Sequence, residues 1–557
     1  MSQREVTLRL TGAAGQGIKS AATILGKAIT RSGWYATCHT EVESRVRGGI
    51  NFHQFTVSLA PCMGIKKNVD ILIALTEDNL EASMPDLAAD GVVLSPEGSP
   101  KGLNRLAREA GSPKVIGTVG LAAATALLGI PHPTVEELVK ERFSTYGETI
   151  LENNLKALDV TYEVFTSSVH RLDVQPNTQR LWLGGHEALS LGAIAGGVTF
   201  MAAYPMSPAT GCLTDLASWA KEVGVVTVQV EDEVAAINMV AGASYAGARA
   251  MTSTSGGGFA LMTEGLSLIG EVEAPAVIVL AQRPGPATGM ATRTAQEDLY
   301  MAAYGGHGFF PRIILAPRDI ADCFQLGAKA FDLAEKYQVP VFLMTDQLLQ
   351  DSSATIDHLE IDELPTNRYY LEAKELEEMK SYSRYAFTDN GISPMAAPGS
   401  SRHTVMVDSH IHDEDGHLTE DPGNAAAMAD KLQRKNRTLK EAAFELEVIG
   451  ELDNNPLVIT WGSTYATTAR AIDELNSKGK KVSHLNLRWL WPPPREALCE
   501  ILEKCGRAIV VENSANGIFA DYIEHTTGFK PDAVINKMNG RPFAADEIVQ
   551  SLAEEVV

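Results

Sequence analysis

Residues 227–261 read TVQVEDEVAAINMVAGASYAGARAMTSTSGGGFAL and predict two parallel strands joined by a helix of small residues. A strand predicted over 225–230 runs directly into three consecutive carboxylates at 231–233. A second strand ends in the loop 252–258. Ligands bind where the strands of open α/β sheets end, so this corner predicts a site. The glycines and alanines of the helix indicate that a cofactor or a second subunit approaches it closely.

Length and composition describe an ordinary globular protein. The chain has 557 residues, enough for three or four domains, with 45% hydrophobic and 21% charged residues. A formal net charge of -23 argues against nucleic acid or an anionic membrane as a partner. No apolar run reaches the roughly 20 residues of a membrane span. The first residues show no signal-peptide pattern, so we expect a cytoplasmic protein.

The six cysteines show no cluster spacing. No pair has the C-x-x-C spacing common in iron–sulfur and zinc sites, so we expect buried thiols and no electron-transfer cluster on this chain. They are Cys38, Cys62, Cys212, Cys323, Cys499 and Cys505.

Residues 1–175 form the first predicted domain, in which strands alternate with helices. The strands are predicted over 6–10, 69–75, 91–94 and 114–116, and a helix over 17–32. The first strand ends in the glycine-rich turn 11–17. Its spacing is not G-x-G-x-x-G, and Lys19-Ser20 falls one residue late for a P-loop. The turn therefore predicts either an anion site containing Gly15 and Gly17 or a tight structural turn. Downstream, Arg45 and Arg47 beside two glycines predict a second phosphate-binding element or a solvated loop.

Residues 180–352 predict a doubly wound α/β domain with three loops at the carboxyl ends of its strands. These loops hold Ser207, Glu233 and Arg283. Residues 353–446 predict an irregular connecting region. Within it, His410–His417 holds three histidines and three acids, of which His410, His412, Asp413, Glu414 and His417 predict a metal site or a solvated charged loop. Residues 447–557 predict another open-sheet α/β domain.

Four ordered motifs carry a family resemblance. YPMSP, the 227–261 stretch, QRPGPATG and TRTAQEDL together resemble the α subunit of the 2-oxoacid:ferredoxin oxidoreductases. The segments GAAGQG and ESRVRGGINFHQF resemble the γ domain of the same enzymes, fused ahead of α. The last hundred residues are similar to the transketolase C-terminal-like domain. The resemblance implies three units: a γ domain, a thiamine diphosphate pyrimidine-binding domain and that C-terminal domain.

The resemblance also implies partners and cofactors. Thiamine diphosphate would be shared with a separate β subunit, which carries Mg²⁺ and a [4Fe-4S] cluster. The present chain lacks a G-D-G segment for Mg-diphosphate, which fits that division, and no metal is expected on it. Coenzyme A, a 2-oxoacid and ferredoxin are the implied substrates and acceptor. The implied assembly is a dimer of α–β heterodimers.

Roles for individual residues follow from the same resemblance. Glu233 is implied as the carboxylate that hydrogen-bonds the pyrimidine ring and promotes proton loss from the thiazolium carbon. The alternative is that the acids at 231–233 only complement the helix dipole. Arg283 is implied to grip the 2-oxoacid carboxylate, a natural task for a planar guanidinium, with a hydrogen bond from Ser207. Pro205 and Gly256 are implied cofactor contacts.

Substrate choice depends on a second cation. Fused γ–α chains of this length resemble the 2-oxoglutarate enzymes, and Arg293 would bind the distal carboxylate. A surface or interface ion pair is the alternative role for Arg293. For coenzyme A, the candidate contacts are Gly15, Gly17, Arg45 and Arg47.

Three functions remain open from the sequence. The first is half of a thiamine-dependent, coenzyme A-acylating oxidoreductase acting on 2-oxoglutarate, pyruvate or another 2-oxoacid. The second is a nucleotide-dependent ligase or dehydrogenase that uses the glycine-rich turn. The third is a non-catalytic scaffold subunit.

Overall fold

The computed structural model describes residues 5–61, 64–98, 101–166, 179–362, 364–365 and 367–555. Cys62 therefore lies outside the described residues. Part of the first predicted domain boundary, between 175 and 180, also lies outside them. In the described residues up to 166, five strands and six α-helices follow one another. They are β1 (Val6–Ala14), α1 (Ile18–Arg31), β2 (Tyr35–Glu41), β3 (Gly48–Ser58), β4 (Val69–Ala74), α2 (Glu77–Ser83), β5 (Leu87–Leu94), α3 (Leu103–Glu109), α4 (Ile116–Leu128), α5 (His132–Phe143) and α6 (Glu148–Val164).

Strands and helices alternate regularly in the next part of the chain. They are β6 (Leu181–Gly184), α7 (Gly185–Ala195), β7 (Phe200–Ala203), α8 (Thr210–Val223), β8 (Val226–Gln229), α9 (Glu233–Tyr245), β9 (Ala250–Thr254), α10 (Gly256–Glu271), β10 (Ala276–Gln282), α11 (Leu299–Tyr304), β11 (Ile313–Leu315), α12 (Ile320–Tyr337), β12 (Pro340–Asp346), α13 (Gln347–Asp351) and β13 (Ser353–Ile356).

Two helices and then a small α/β unit complete the chain. They are α14 (Ala373–Glu378), α15 (Pro422–Glu441), β14 (Val448–Ile449), β15 (Pro456–Trp461), α16 (Thr464–Ser477), β16 (Ser483–Leu487), β17 (Trp489–Trp491), α17 (Arg495–Leu502), β18 (Arg507–Glu512), α18 (Ile518–Thr527), β19 (Ala533–Asn536) and α19 (Ala545–Glu555). None of the helices in the described part of the chain is both long and apolar enough to cross a membrane.

The strands form three open sheets, as an α/β fold requires. The first sheet has the order β5-β4-β1-β3-β2-β13-β6, and the second has the order β17-β11-β12-β10-β9-β7-β8. The third has the order β14-β16-β15-β18-β19. In the second sheet β10 is wholly buried and pairs in parallel with β9 and β12. Its continuous apolar sequence is typical of a parallel strand covered on both faces.

Short strands interlock the three sheets. β13 pairs antiparallel with both β2 and β6, so the segments that flank the second sheet complete the edge of the first. β17 leaves the C-terminal unit and pairs antiparallel with β11 of the second sheet. Strand pairs therefore cross the predicted domain limits at 352 and 446. The domain limits themselves stay predictions.

The predicted strand at 114–116 is wrong. Pro113 begins a short 3-10 turn, and from Ile116 the chain continues as α4. Every residue of α4 is buried. An apolar run without polar alternation fits a buried strand and a buried helix equally well, which is why periodicity misplaced it. The antiparallel pair of β2 and β3 was not predicted at all.

The connecting region, predicted to be irregular, contains the 20-residue helix α15. Asp421 caps its start by accepting a hydrogen bond from the Asn424 amide, and Pro422 follows at the first helical position. The helix docks through two wholly buried lysines, Lys431 and Lys435, which both bind the carboxylate of Glu273. Burial opposes ionisation of Glu273, but these lysines hold the pKa of its carboxyl well below the usual range.

Candidate functional site

The carboxyl ends of four neighbouring parallel strands, β8, β7, β9 and β10, build one edge of the second sheet. The loop after β7 holds Pro205 and Ser207. The loop after β8 leads into Glu233, and β10 ends one residue before Arg283. Parallel strands end on the same side of a sheet, so the three predicted loops gather there.

Arg283 and Ser207 are in direct contact. Nη1 of Arg283 donates a hydrogen bond of 2.7 Å to the main-chain carbonyl of Ser207. The side chain of Ser207 is exposed, and Arg283 is partly exposed. Burial lowers the pKa of Arg283, and the nearby Asp298 opposes that shift. A guanidinium that is partly withdrawn from water gains strongly from an anionic ligand.

Glu233 is buried, whereas its two acidic neighbours are exposed. Asp232 caps α9, because its carboxylate accepts a 2.8 Å hydrogen bond from the amide of Ala235. Glu233 is only 3% exposed, and its Oε1 finds no hydrogen-bond partner among the described residues. The role of complementing the helix terminus therefore falls to Asp232. A buried carboxylate oxygen without a donor is costly, and it marks a place where a ligand with a donor fits.

The glycines near Glu233 have different neighbours. A Cβ added to Gly258 would lie 2.2 Å from Thr254 Oγ1 and 2.5 Å from Glu233 Oε1, so packing within the chain requires that glycine. A Cβ added to Gly256 would meet the carboxylate of Asp298 at 2.5 Å. At the exposed Gly242, an added Cβ would meet nothing within 4 Å. Whatever approaches α9 at Gly242 therefore does not come from the described part of the chain.

Asp298 is a residue that the sequence analysis missed, although it lies in the TRTAQEDL motif. Its carboxylate lies against Gly256, and Oδ2 finds no hydrogen-bond partner among the residues described. Burial, helped by Glu297, raises the pKa of Asp298 to about 6, while Arg283 acts in the opposite direction. A titratable group near neutral pH thus lies beside the predicted site.

Arg293 lies in a buried ion-pair cluster formed within the chain. Its Nη1 lies 3.3 Å from Oε2 of Glu41, which is the last residue of β2. Arg541 approaches the same oxygen through Nε at 2.8 Å. Burial lowers the pKa of Arg293, with Arg541 adding to the effect, so an anionic partner is needed there. This ion pair does not involve Arg283.

The two candidate coenzyme A elements lie side by side. Gly15 and Gly17 adopt left-handed backbone conformations, with φ of 96° and 77°, and Gly17 precedes the first residue of α1. β1 pairs with β3 so that Ala14 faces Gly48, which places the 44–47 tip of the β2–β3 hairpin beside the glycine-rich turn. Arg45 pairs with Glu43 at 2.9 Å, while Arg47 is exposed.

The histidines of 410–417 do not converge. His410 pairs with Asp408, and His417 lies 3.7 Å from Asp413. His412 is buried, and its ring packs 4.1 Å from that of Tyr385. Within the described residues, no group of three or more histidine, cysteine or acidic side chains is arranged to hold a metal ion.

The cysteines in the described segments are all free thiols. Cys38, Cys212 and Cys323 are buried, and Cys499 and Cys505 are partly buried. Burial raises the pKa of the Cys212 thiol to about 12, which leaves it neutral and unreactive at physiological pH.

Comparison with known families places three profiles along the chain. The profile described as pyruvate flavodoxin/ferredoxin oxidoreductase, thiamine diphosphate-binding, matches residues 191–431. Pyruvate ferredoxin/flavodoxin oxidoreductase matches residues 7–164. Pyruvate:ferredoxin oxidoreductase core domain II matches residues 455–548. The range matched by the thiamine diphosphate-binding profile includes Ser207, Glu233 and Arg283.

Individual relatives match over most of their length. The 2-oxoacid:ferredoxin oxidoreductase subunit alpha of Sulfolobus sp is 31% identical, over 98% of this chain and 96% of that protein. The 2-oxoglutarate synthase subunit KorA of Methanothermobacter thermautotrophicus is 29% identical, over 67% of this chain and 98% of that protein. A solved 2-oxoglutarate:ferredoxin oxidoreductase from Magnetococcus marinus, with 2-oxoglutarate, coenzyme A and succinyl-CoA bound, superimposes with a TM-score of 0.92. It is 30% identical, and the match covers 100% of both chains.

Proposed function

The chain belongs to the family of 2-oxoacid:ferredoxin oxidoreductase α subunits, and from this premise we propose that it serves a 2-oxoglutarate:ferredoxin oxidoreductase. The reaction converts 2-oxoglutarate, coenzyme A and oxidised ferredoxin to succinyl-CoA, carbon dioxide and reduced ferredoxin, and it is reversible. The observation that carries the proposal is the buried Oε1 of Glu233, which has no hydrogen-bond partner among the described residues. It lies at the strand edge where Arg283 donates a hydrogen bond to Ser207.

The residues at this edge fit thiamine diphosphate. When bound, that cofactor supplies the nucleophilic carbon that attacks the ketone of a 2-oxoacid. Glu233 would accept a hydrogen bond from the pyrimidine ring, satisfying its orphaned oxygen, and would help to move a proton there. Gly256 and Pro205, which follow β9 and β7 at the same strand edge, are proposed as further contacts of the pyrimidine. The glycine at 258 leaves Glu233 the space to face it.

The substrate would bind through charge. Arg283 is partly exposed, and its hydrogen-bond partner among the described residues is a neutral carbonyl, so its guanidinium can donate to the carboxylate next to the ketone. The exposed hydroxyl of Ser207 can donate to the same substrate. Arg293 is proposed for the distal carboxylate of 2-oxoglutarate, in exchange for part of its contact with Glu41.

The remaining parts are proposed to come from a β subunit. That subunit would hold Mg²⁺, the diphosphate and the [4Fe-4S] cluster, and two α–β pairs would form the assembly. Coenzyme A would bind at the glycine-rich turn and the adjoining hairpin tip, and ferredoxin would take the electrons in the cytoplasm. The exposed, open face at Gly242 supports close approach by such a partner.

The test is to purify the chain together with a β subunit from the same organism and to assay coenzyme A-dependent reduction of ferredoxin. We expect a higher kcat/KM for 2-oxoglutarate than for pyruvate or 2-oxobutyrate. A preference for pyruvate would change the substrate while leaving the enzyme class intact. Turnover of ATP or NAD without a partner would instead favour a ligase or dehydrogenase. A complex without any 2-oxoacid activity would favour a scaffold.

A further inference from the structure

Glu41 joins the three sheets at one point. It ends β2 of the first sheet, and its Oε2 accepts a hydrogen bond from Arg293, in the loop after β10, and forms a salt bridge with Arg541, in the C-terminal unit. The Glu41 side chain is 13% exposed and that of Arg293 is 10% exposed. Breaking a pair this deeply buried leaves a charge without a partner, so the pair constrains both chain segments.

The loop that carries Arg293 is otherwise fastened to the C-terminal unit. The amide of Gln296 donates to the carbonyl of Asn513 at 2.7 Å, and the amide of Asn513 donates back to Oε1 of Gln296 at 3.0 Å. Glu297 accepts a hydrogen bond from the amide of Ala515 at 3.1 Å. The same loop begins at Arg283. Among the described residues, the ion pair between Arg293 and Glu41 links this loop to β2.

Within the first sheet, Glu41 lies at the base of the hairpin tip, residues 44–47. The amide of Glu43 donates to Oδ1 of Asn51 at 2.7 Å. Nδ2 of Asn51 donates to the carbonyls of Gly48 at 3.1 Å and Gly12 at 3.3 Å. Asn51 is 1% exposed, so the tip, the glycine-rich turn and the end of β2 are held as one piece. A shift of the tip on binding a ligand would reach Glu41 directly.

We propose that Glu41 is a positioning residue that couples occupancy of the hairpin tip to the loop carrying Arg283 and Arg293. This inference rests on the proposed function, because it takes coenzyme A as the ligand of the tip and a 2-oxoacid as the ligand of the loop. Coupling between two sites is reciprocal, so coenzyme A also changes the affinity for the 2-oxoacid.

Replacing Glu41 with a neutral residue should leave the first sheet joined to the C-terminal unit. The amide of Ala545 donates to the carbonyl of Ile65 at 2.7 Å, and the amide of Lys67 donates to Asp546 at 3.2 Å. Glu5 binds Lys66 at 2.5 Å and also pairs with Arg470. These contacts join the first sheet to the C-terminal unit without Glu41. Glu5→Gln is therefore a matched control: it removes an inter-unit carboxylate with two cationic partners but does not touch Arg293.

The experiment uses the α–β complex and desulfo-coenzyme A, which occupies the coenzyme A site without reacting. The half-saturating concentration of 2-oxoglutarate is measured for release of labelled carbon dioxide, with and without saturating analogue. In the wild type we expect the analogue to change that concentration about fivefold or more. In Glu41→Gln we expect a change of less than about twofold. Glu5→Gln and Arg541→Ala, which both keep the pair of Glu41 with Arg293, should retain the wild-type ratio.

Three results would overturn the coupling: no effect of the analogue on the wild type, an undiminished ratio in Glu41→Gln, or an equal loss in Glu5→Gln. If Glu41→Gln does not assemble, Glu41→Asp provides the comparison, since it keeps the charge and shortens the reach. A ratio below that of the wild type then supports the coupling, and an unchanged ratio refutes it. Absence of carbon dioxide release from the wild type would instead contradict the proposed function.

Discussion

At the scale of single residues, the three acids 231–233 show what a linear pattern leaves open. All three lie at or just before the start of α9, and the sequence alone permits each to complement its dipole. The structure distinguishes them, because Asp232 caps the helix and the side chain of Glu233 is buried. The resemblance selected Glu233, but only the fold shows that its Oε1 lacks a donor. Asp298 was missed because its importance arises from contact with Gly256, which is 42 positions away at the start of α10.

Glu233→Gln is expected to preserve the fold and to abolish most turnover. The amide fills the same volume, but it can no longer serve as the proton-relay carboxylate, a loss of about 10²-fold or more in kcat. The exposed Glu231→Gln is the matched control and should retain wild-type activity. Steady-state kinetics and thermal unfolding of the complex check both variants. Near-normal turnover of Glu233→Gln would remove Glu233 from the chemistry.

Asp298 predicts a pH dependence of substrate binding. Above its pKa of about 6 the carboxylate is charged, and its negative charge opposes the binding of an anionic substrate at the nearby Arg283. As pH falls through that value the group takes up a proton, and this opposing charge is lost. The KM for the 2-oxoacid should therefore fall between about pH 7 and about pH 5.5, and Asp298→Asn should flatten this profile. A parallel profile in the variant would assign the titration to another group.

Arg293→Ala tests substrate selection. Glu41 keeps Arg541 as a partner, so the variant leaves no carboxylate without a cation. Losing a charged hydrogen bond costs about 1.5–3 kcal/mol, or roughly ten- to a hundredfold. We expect kcat/KM for 2-oxoglutarate to fall by that factor relative to kcat/KM for 2-oxobutyrate. Arg541→Ala, the control, should not change the ratio. An unchanged ratio in Arg293→Ala would restrict Arg293 to its ion pair.

At the scale of elements, the regular α/β alternation of the second sheet was predictable, and the antiparallel parts were not. β10 and β12 are continuous apolar runs bounded by polar loops, and that pattern predicts buried parallel strands. β6 and β13 have only four residues each and pair with strands far away in sequence. A strand that short carries no periodicity of its own, so tertiary pairing decides it.

The β2–β3 hairpin gives a prediction at this scale. The register of Ala14 with Gly48 brings its tip to the start of α1, where main-chain amides and Arg47 can meet phosphates together. Arg47→Ala should raise the apparent KM for coenzyme A by about tenfold and leave that for the 2-oxoacid unchanged. Lys27→Ala, on the exposed side of the same helix, is the charge-matched control. If neither KM changes, the tip is structural.

At the scale of the whole molecule, interlocked sheets bring separate stretches of sequence to one junction. Glu41, Arg293 and Arg541 lie in three different parts of the chain, yet they share one carboxylate. Nothing local in the sequence marks Glu41, because its partners are up to 500 positions away. The motifs could be recognised one by one, whereas the contact between their domains required the folded chain.

The last prediction concerns the chain by itself. Its predicted site ends at a surface: Ser207 is exposed, and Gly242 faces open space. The sequence contains no G-D-G segment for Mg-diphosphate and no C-x-x-C pair for a cluster. Purified alone, the chain should fold but fail to release carbon dioxide from 2-oxoglutarate in the presence of thiamine diphosphate, Mg²⁺ and coenzyme A. Adding the β subunit should restore release and acceptor reduction together, because the cofactor is proposed to bind to both subunits. Sustained oxidation of 2-oxoglutarate by the single chain would show that it holds a complete site.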